Sequence, residues 1–466
     1  MLLVKLPFVS RRLAFDDEEG RRSAGKRRAR YGLPIQTLRM PFQRLYVVHA
    51  PNLIQTIQNK ANAQTFIPNL LDFGMLFSGL NTESQNTLRK AFALKGNGFT
   101  MSVHKYLLSG PSLKVATKAA VERLTASLPN TLLKHSQSGL QAAVRHELTL
   151  ALTGAIYGPE NPYDDLEIEA SWLDFVPGIT HLLSSPFPAL TARKALHARS
   201  RIIRAFQKYF ETGGHLQAFP MIPEMHDINR GHGLSTEEAA KMEMATSLAM
   251  LSSGSVTTFW LLFHILSDTI LTATIREELE AVIEGNDSQS VKTINLSRVK
   301  DSCHTLVAVL NETLRFHSTV INIKQVQHDT TLDGQYLLKK NGIVMIPGQS
   351  VHHNKDIWGP SADTFNHLRF LFPGSKKNLS STSAFRPFGA GVTMCPGRYF
   401  STNVILSLAV MVLLKFDVQP TTGVWKKPTK HNADMWNAMP KPDYDIDVKF
   451  EPRGGEKQIE WKFVWE

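Results

Sequence analysis

Phe385-Arg386-Pro387-Phe388-Gly389-Ala390-Gly391-Val392-Thr393-Met394-Cys395-Pro396-Gly397-Arg398 sets one cysteine among three glycines, with an aromatic residue upstream and an apolar, helix-patterned run downstream. Such a loop can present a thiolate sulfur to a metal ion and shield its far side. Gly389 and Gly391 let the backbone come close to a flat ligand and take positive φ. Gly397 is expected to do the same at the entry to the next helix. Backbone N–H groups left free in the turn can hydrogen-bond the sulfur and hold it as the anion. Phe388 can cover the sulfur and keep water from it. A lone buried cysteine is ordinarily a small apolar packing residue; here the surrounding pattern Phe388-x-x-Gly391-x-x-x-Cys395-x-Gly397 points to a ligand.

That pattern resembles the haem-binding signature of the cytochrome P450 family, in which a Cys thiolate holds haem iron. The resemblance implies haem b, iron protoporphyrin IX, with Cys395 as the axial ligand. It also implies a mainly α fold with a small β-rich portion. Glu312 and Arg315, in Asn311-Glu-Thr-Leu-Arg, lie i and i+3 on a helix with apolar preceding turns, so one face carries both charges. Phe365-Asn-His-Leu-Arg369-Phe370 resembles the family segment that supplies a second arginine, with His367 where a proline is usual. By that resemblance Glu312, Arg315 and Arg369 form a buried cluster that holds the cysteine loop; such a cluster is costly to desolvate and costlier to break. His353-Asn-Lys-Asp-Ile-Trp358-Gly359 resembles the stretch between them, which makes four landmarks in the family's order.

On the oxygen side the chain departs from the family. Met244 to Asp268 reads as one long helix, and Ala249-Met250-Leu251-Ser252-Ser253 stands where the family has an acid followed by an alcohol. Ser252 takes the acid position and Ser253 the alcohol position. Thr258-Phe-Trp260 and Thr393-Met394-Cys395-Pro396-Gly397-Arg398 resemble the branch with sterol hydroxylases and prostacyclin synthase. Ser253 keeps a hydroxyl that can donate and order water; Ser252 cannot supply a proton alone. The serines could instead only pack, with hydroxyls bonded back to i−4 carbonyls. Haem propionates need cations. Many relatives place an Arg where Thr393 stands, and Arg386 is the nearest substitute.

The rest of the chain bounds the reading. Its 466 residues are 42 % apolar and 20 % charged, as in an ordinary globular protein, and no interior linker or repeat divides them. Residues 31–466 therefore read as one domain. Two cysteines do not make a disulfide scaffold, and no zinc motif appears. Cys303 reads as packing. Much of the formal charge of +11 comes from Arg21, Arg22, Lys26, Arg27, Arg28 and Arg30. Residues 1–30 read as a charged, poorly ordered leader or as a patch beside anionic lipid. With no aromatic residue among the charges before Tyr31, single-stranded nucleic acid is not the expected partner.

No stretch reads as a transmembrane helix; the N-terminal anchor of microsomal relatives is missing or replaced. The resemblance implies the surface of the endoplasmic reticulum, with peripheral contact, while a cytosolic placement stays open. Phe187, between Pro186 and Pro188, could cap a substrate entrance or dip into lipid. Short strands are expected at Ile323–Gln327, Gln335–Leu338 and Ile343–Ile346, after a hairpin over Ile35–Val48.

The function implied is a haem-thiolate monooxygenase acting on a lipophilic small molecule: a sterol, terpenoid or polycyclic secondary metabolite. NADPH-cytochrome P450 reductase would supply electrons, with cytochrome b5 as a second donor, because no nucleotide-binding glycine motif occurs here. Two rivals stand beside it: a dioxygen-independent haem-thiolate isomerase or dehydratase, and a non-catalytic haem- or lipid-binding protein.

Overall fold

A computed structural model describes residues 33–466 apart from 41–42, 60–65, 69–73, 76, 96–97, 135–136, 186, 285–290, 372–381, 383, 392–393, 434–436 and 454–459. The leader, Pro186 and Thr393 therefore lie outside the described residues.

The fold is mainly helical with minor sheets, as the resemblance implies. Five helices frame the site: α1 (Leu140–Tyr157), α2 (Thr236–Leu251), α3 (Gly254–Leu266), α4 (His304–His317) and α5 (Arg398–Lys415). In α5 every residue from Asn403 to Leu414 is buried, and α3 is almost as enclosed. A helix apolar on all sides must sit inside the protein. Each is flanked accordingly: α3 packs on α1, α4 and α5. Two stretches, Thr236–Leu266 and Arg398–Lys415, reach the length and apolarity needed to cross a bilayer, which the sequence reading did not anticipate. In both, 72 % of the apolar window is buried against the rest of the protein, so they serve as core helices.

The main sheet has strands β1 (Ile35–Met40), β2 (Gln43–Val48), β3 (Phe66–Pro68), β4 (Ile321–Val326) and β5 (Ile343–Pro347). Their spatial order is β1-β2-β5-β4-β3. β1 and β2 form the expected hairpin, with Ile35 opposite Val48. β5 runs parallel to β2 and antiparallel to β4, which sets Lys324 opposite Val344. Leu45 and Val47 of β2 bury one face with Ile343 and Met345, while Tyr46 and Val48 bury the other with Val344 and Ile346, the period-2 alternation of a covered sheet.

Further short strands pair across long stretches of chain. Gln137–Gly139 pairs with Asp447–Pro452, and Val291–Asn295 pairs with Glu460–Val464. These short pieces take strand geometry from partners far along the chain, so their own residues carry little signal. Cys303 is fully buried, in a packing position.

Candidate active site

The cysteine loop is a set of tight turns. Gly389 N–H donates to Arg386 O (3.0 Å), Met394 N–H to Gly391 O (3.1 Å), and Cys395 N–H to Phe388 O (2.9 Å). Gly389 (φ +78°) and Gly391 (φ +66°) occupy the left-handed region, where a side chain would be strained. Gly397 does not: its φ is −84°, so the expectation of positive φ fails there. A Cβ on Gly397 would nonetheless meet no protein atom within 4 Å, so open space lies beside this residue. α5 begins at Arg398, whose guanidinium donates to Cys395 O (3.0 Å). Phe388 packs its ring against the main core.

Burial pushes the Cys395 thiol up from its ordinary range, against the Gly397 N–H directed at the sulfur and the nearby Arg398 charge. The Gly397 N–H acts in the expected direction, toward the anion, and burial opposes it. A coordinated metal would be needed to complete deprotonation.

Behind the loop, Glu312 and Arg315 are fully buried and paired twice, Arg315 Nε to Oε2 (2.7 Å) and Nη2 to Oε1 (2.8 Å). The second Arg315 fork reaches backbone: Nη1 donates to His352 O (2.6 Å) and Ala362 O (2.9 Å), and Nη2 to Thr364 O (3.2 Å). Arg369, in the 3-10 turn His367–Phe370, brings Nε to 3.4 Å from Glu312 Oε1. Its terminal nitrogens donate to Trp358 O (2.6 Å), Ser361 O and Ser361 Oγ (2.7 Å). The structure thus brings these three residues together, with charge-assisted bonds doubling as backbone anchors.

Sequence reasoning missed His352, which joins this cluster to the loop. It is fully buried, and its Nε2 accepts the Arg386 N–H (3.0 Å). Burial first, then the charges of His353, Arg315 and Arg386, holds its imidazole pKa well below the ordinary value. An accepting Nε2 carries no proton, which assigns the ring the Nδ1–H tautomer.

The fit of a haem can be tested on the cations. Arg386 is 1 % exposed, yet only Nη2 is bonded, to Asn322 Oδ1; Nε and Nη1 have no partner. Burial pushes its pKa down to about 10. Lys324, also missed, is 2 % exposed and lies two residues from Asn322 on the same face of β4. Burial, then the Arg386 charge, lowers its pKa. No acid among the described residues pairs with either. A buried guanidinium with two unmade bonds, beside a second buried cation, is expensive unless an anion joins them. Carboxylates such as haem propionates are the missing charge, and the set fits.

On the opposite side, the long helix is broken at the serine pair. The i→i−4 ladder of α2 ends with Ser252 N–H on Leu248 O (3.1 Å), and that of α3 resumes with Thr257 N–H on Ser253 O (3.0 Å). The two serine hydroxyls face each other at 3.5 Å instead of bonding back along the helix. Thr257 and Thr258 do bond back, to Ser253 O (2.8 Å) and Gly254 O (3.0 Å). The break leaves the carbonyls of residues 249–252 outside the ladder. Gly254 faces Leu152 of α1 and Ser401 in the first turn of α5, which ties the serine pair to the helix that follows Cys395.

Comparison with known proteins agrees with this architecture. The cytochrome P450 family model matches residues 216–448. The chain is 30 % identical to the cytochrome P450 monooxygenase nodJ of Hypoxylon pulicicidum over 93 % of this chain and 86 % of that protein. It is 26 % identical to a cytochrome P450 monooxygenase of Gibberella zeae, over 93 % of this chain and 85 % of the relative. Over 57 % of this chain and 56 % of the relative, it is 26 % identical to a protein named cholesterol 7-alpha-monooxygenase from Cricetulus griseus. With the cysteine loop, the buried Glu312–Arg315 pair and this likeness along nearly its whole length, the chain belongs to the cytochrome P450 family of haem-iron monooxygenases.

Proposed function

We propose that the protein binds haem b through Cys395 and inserts one oxygen atom of dioxygen into a C–H bond of a bulky lipophilic substrate. A sterol, terpenoid or polycyclic secondary metabolite is the substrate class; the relative named for cholesterol favours a polycyclic one. Electrons come from an NADPH-dependent reductase. When bound, the haem supplies dioxygen activation and the oxidising power for C–H attack.

The protein's residues do the rest. Arg386 and Lys324 hold the propionates. The Gly397 N–H and Arg398 would favour Cys395 as the thiolate that holds the group. Glu312, Arg315 and Arg369 fix the backbone that carries the loop. Ser253 holds water at the helix break, where carbonyls 249–252 are open to it, and this water passes protons that Ser252 cannot supply. The exposed Phe187 and Leu190 support peripheral contact with the endoplasmic reticulum surface. The connected core from Phe77 to Phe463 supports a single domain over 31–466.

The observation that carries the reading is the half-buried Cys395 held in a tight turn by its N–H on Phe388 O (2.9 Å) and by Arg398, at the head of α5, on its carbonyl (3.0 Å). The test is the spectrum of the reduced, carbon-monoxide-bound protein, wild type against Cys395→Ala. The wild type should show the red-shifted thiolate Soret band and the variant should not. A wild type without it overturns the assignment. The serine at the acid position favours one rival, a dioxygen-independent isomerase. Product formation that needs NADPH and reductase decides for the monooxygenase; turnover of a hydroperoxide without them decides for the isomerase.

A further inference from the structure

His352 sits at a hydrogen-bond junction between the Glu312–Arg315 pair and the chain entering the cysteine loop. Its carbonyl accepts from Arg315 Nη1 (2.6 Å), and its ring accepts the backbone N–H of Arg386 (3.0 Å). The other side of that residue is also held: Arg386 O accepts from Gly389 N–H (3.0 Å), the first turn of the loop. The imidazole lies beside Phe385, with ring centroids 6.2 Å apart at 38°, so the ring is steered as well as bonded. One residue thus sets the backbone at the point where the buried guanidinium of Arg386 leaves the chain.

We propose that His352 is a positioning residue: its imidazole, accepting through Nε2, registers Arg386, and with it the Cys395 loop, against the Glu312–Arg315 pair. Three features argue against a packing role alone. The ring nitrogen is used as an acceptor, which requires a single tautomer. The amide it receives is buried, so losing the bond would leave a desolvated donor unpaired. Finally, Arg386 keeps two bonds unmade, so its side chain cannot hold its own backbone in place.

Loss of the acceptor leaves a buried N–H unpaired, while glutamine places Oε1 near the lost nitrogen. The experiment compares full-length wild type, His352→Leu and His352→Gln by amide hydrogen exchange, resolved for residues 384–391 and for α4 as an internal control. In His352→Leu the Arg386 amide should lose protection by about tenfold or more, the scale of one unsatisfied buried donor. Protection of α4 should stay unchanged, and His352→Gln should keep most of the Arg386 protection.

A second readout is the reduced carbon-monoxide spectrum. There His352→Leu should move part of the Soret band from the thiolate to the thiol form, and His352→Gln should restore it. This arm rests on the haem assignment above; the exchange arm does not. Unchanged Arg386 protection in His352→Leu overturns the proposal. So does an equal loss in both variants matched by loss in α4, which would mean bulk packing only. Altered exchange in a protein that takes up no haem would uphold the strut and sink the haem assignment.

Discussion

Arg369 Nε lies 3.4 Å from Glu312 Oε1 without a hydrogen bond, while the Asn366 N–H donates to that same oxygen at 2.8 Å. The carboxylate is therefore satisfied by Arg315 and by backbone, and Arg369 adds charge and three bonds to the Trp358–Ser361 turn. The two arginines are not equivalent. Glu312→Gln leaves Arg315 buried and uncompensated, which costs about 3–5 kcal/mol. Arg369→Lys keeps the charge and loses part of a fork, at about 1–3 kcal/mol. Urea unfolding of the two variants checks this. Equal losses would mean that Arg369 is a full member of the ion cluster.

The two cysteines differ in burial and should differ in chemistry. Cys303 is pushed up to about 12 by burial, then by Glu278, and its Sγ points at Glu278 O (3.7 Å). Cys395 is also raised, but Gly397 N–H and Arg398 oppose the shift. In haem-free protein neither should alkylate readily near neutral pH, because the thiolate is the nucleophile. As pH rises, Cys395 should label first. Mass spectrometry after iodoacetamide gives the order; prior labelling of Cys303 would contradict it. Haem loading should protect Cys395 alone and release its thiol proton.

How much of this was legible follows from how local each signal is. The glycine-flanked cysteine and the Glu312-x-x-Arg315 spacing are local patterns with one geometric meaning, so the sequence sufficed to find them. The bond between His352 and Arg386 joins residues 34 positions apart through a backbone amide, and no residue type announces such a contact. Lys324 was hidden because a lysine in a short strand reads as solvent-facing until the strand's partners are known. The break at Ser252–Ser253 was equally hidden. Serine tolerates helix, so these residue types do not by themselves distinguish a continuous helix from two.

Acid should unfold the protein early. His264, His317 and His352 are held well below the ordinary histidine value, chiefly by burial; Lys427 and Lys430 bear on the first two, and Arg315 and Arg386 on the third. The His264–His317 pair shares an Nε2–Nε2 hydrogen bond of 2.9 Å, so a proton entering there meets lysine charge. In the unfolded chain these rings titrate near the ordinary value of about 6.5. Below that pH the unfolded state binds protons that the native state refuses. Stability therefore falls as pH drops, by up to about 1.4 kcal/mol per pH unit for each histidine. His146, raised first by its hydrogen bond to Glu169, acts in the opposite sense and offsets part of one of them. Urea midpoints between about pH 7.5 and pH 5 should decline steadily; a flat profile would show that the pair accepts protons in the folded state.

Ser253 is the residue on which proton supply turns. Ser252 lies at the end of α2 with helical torsions (φ −68°, ψ −32°), whereas Ser253 takes φ −122° and ψ −26° at the break itself. Its carbonyl is occupied by Thr257, through both N–H and Oγ1, so only its hydroxyl is free to turn toward water. Removing that hydroxyl should leave the fold, haem uptake and thiolate spectrum intact, because no backbone bond depends on it. Reduced dioxygen should then escape as peroxide. In Ser253→Ala, product per NADPH should fall by about tenfold or more, within the usual range for loss of a positioned proton donor, with peroxide rising in proportion. Ser252→Ala should change coupling far less, since its hydroxyl reaches Ser253 only at 3.5 Å. Product and peroxide measured against NADPH consumed give the answer for both. Unchanged coupling in Ser253→Ala would remove this residue from proton transfer and direct attention to the carbonyls of residues 249–252, which lie outside the helix ladder.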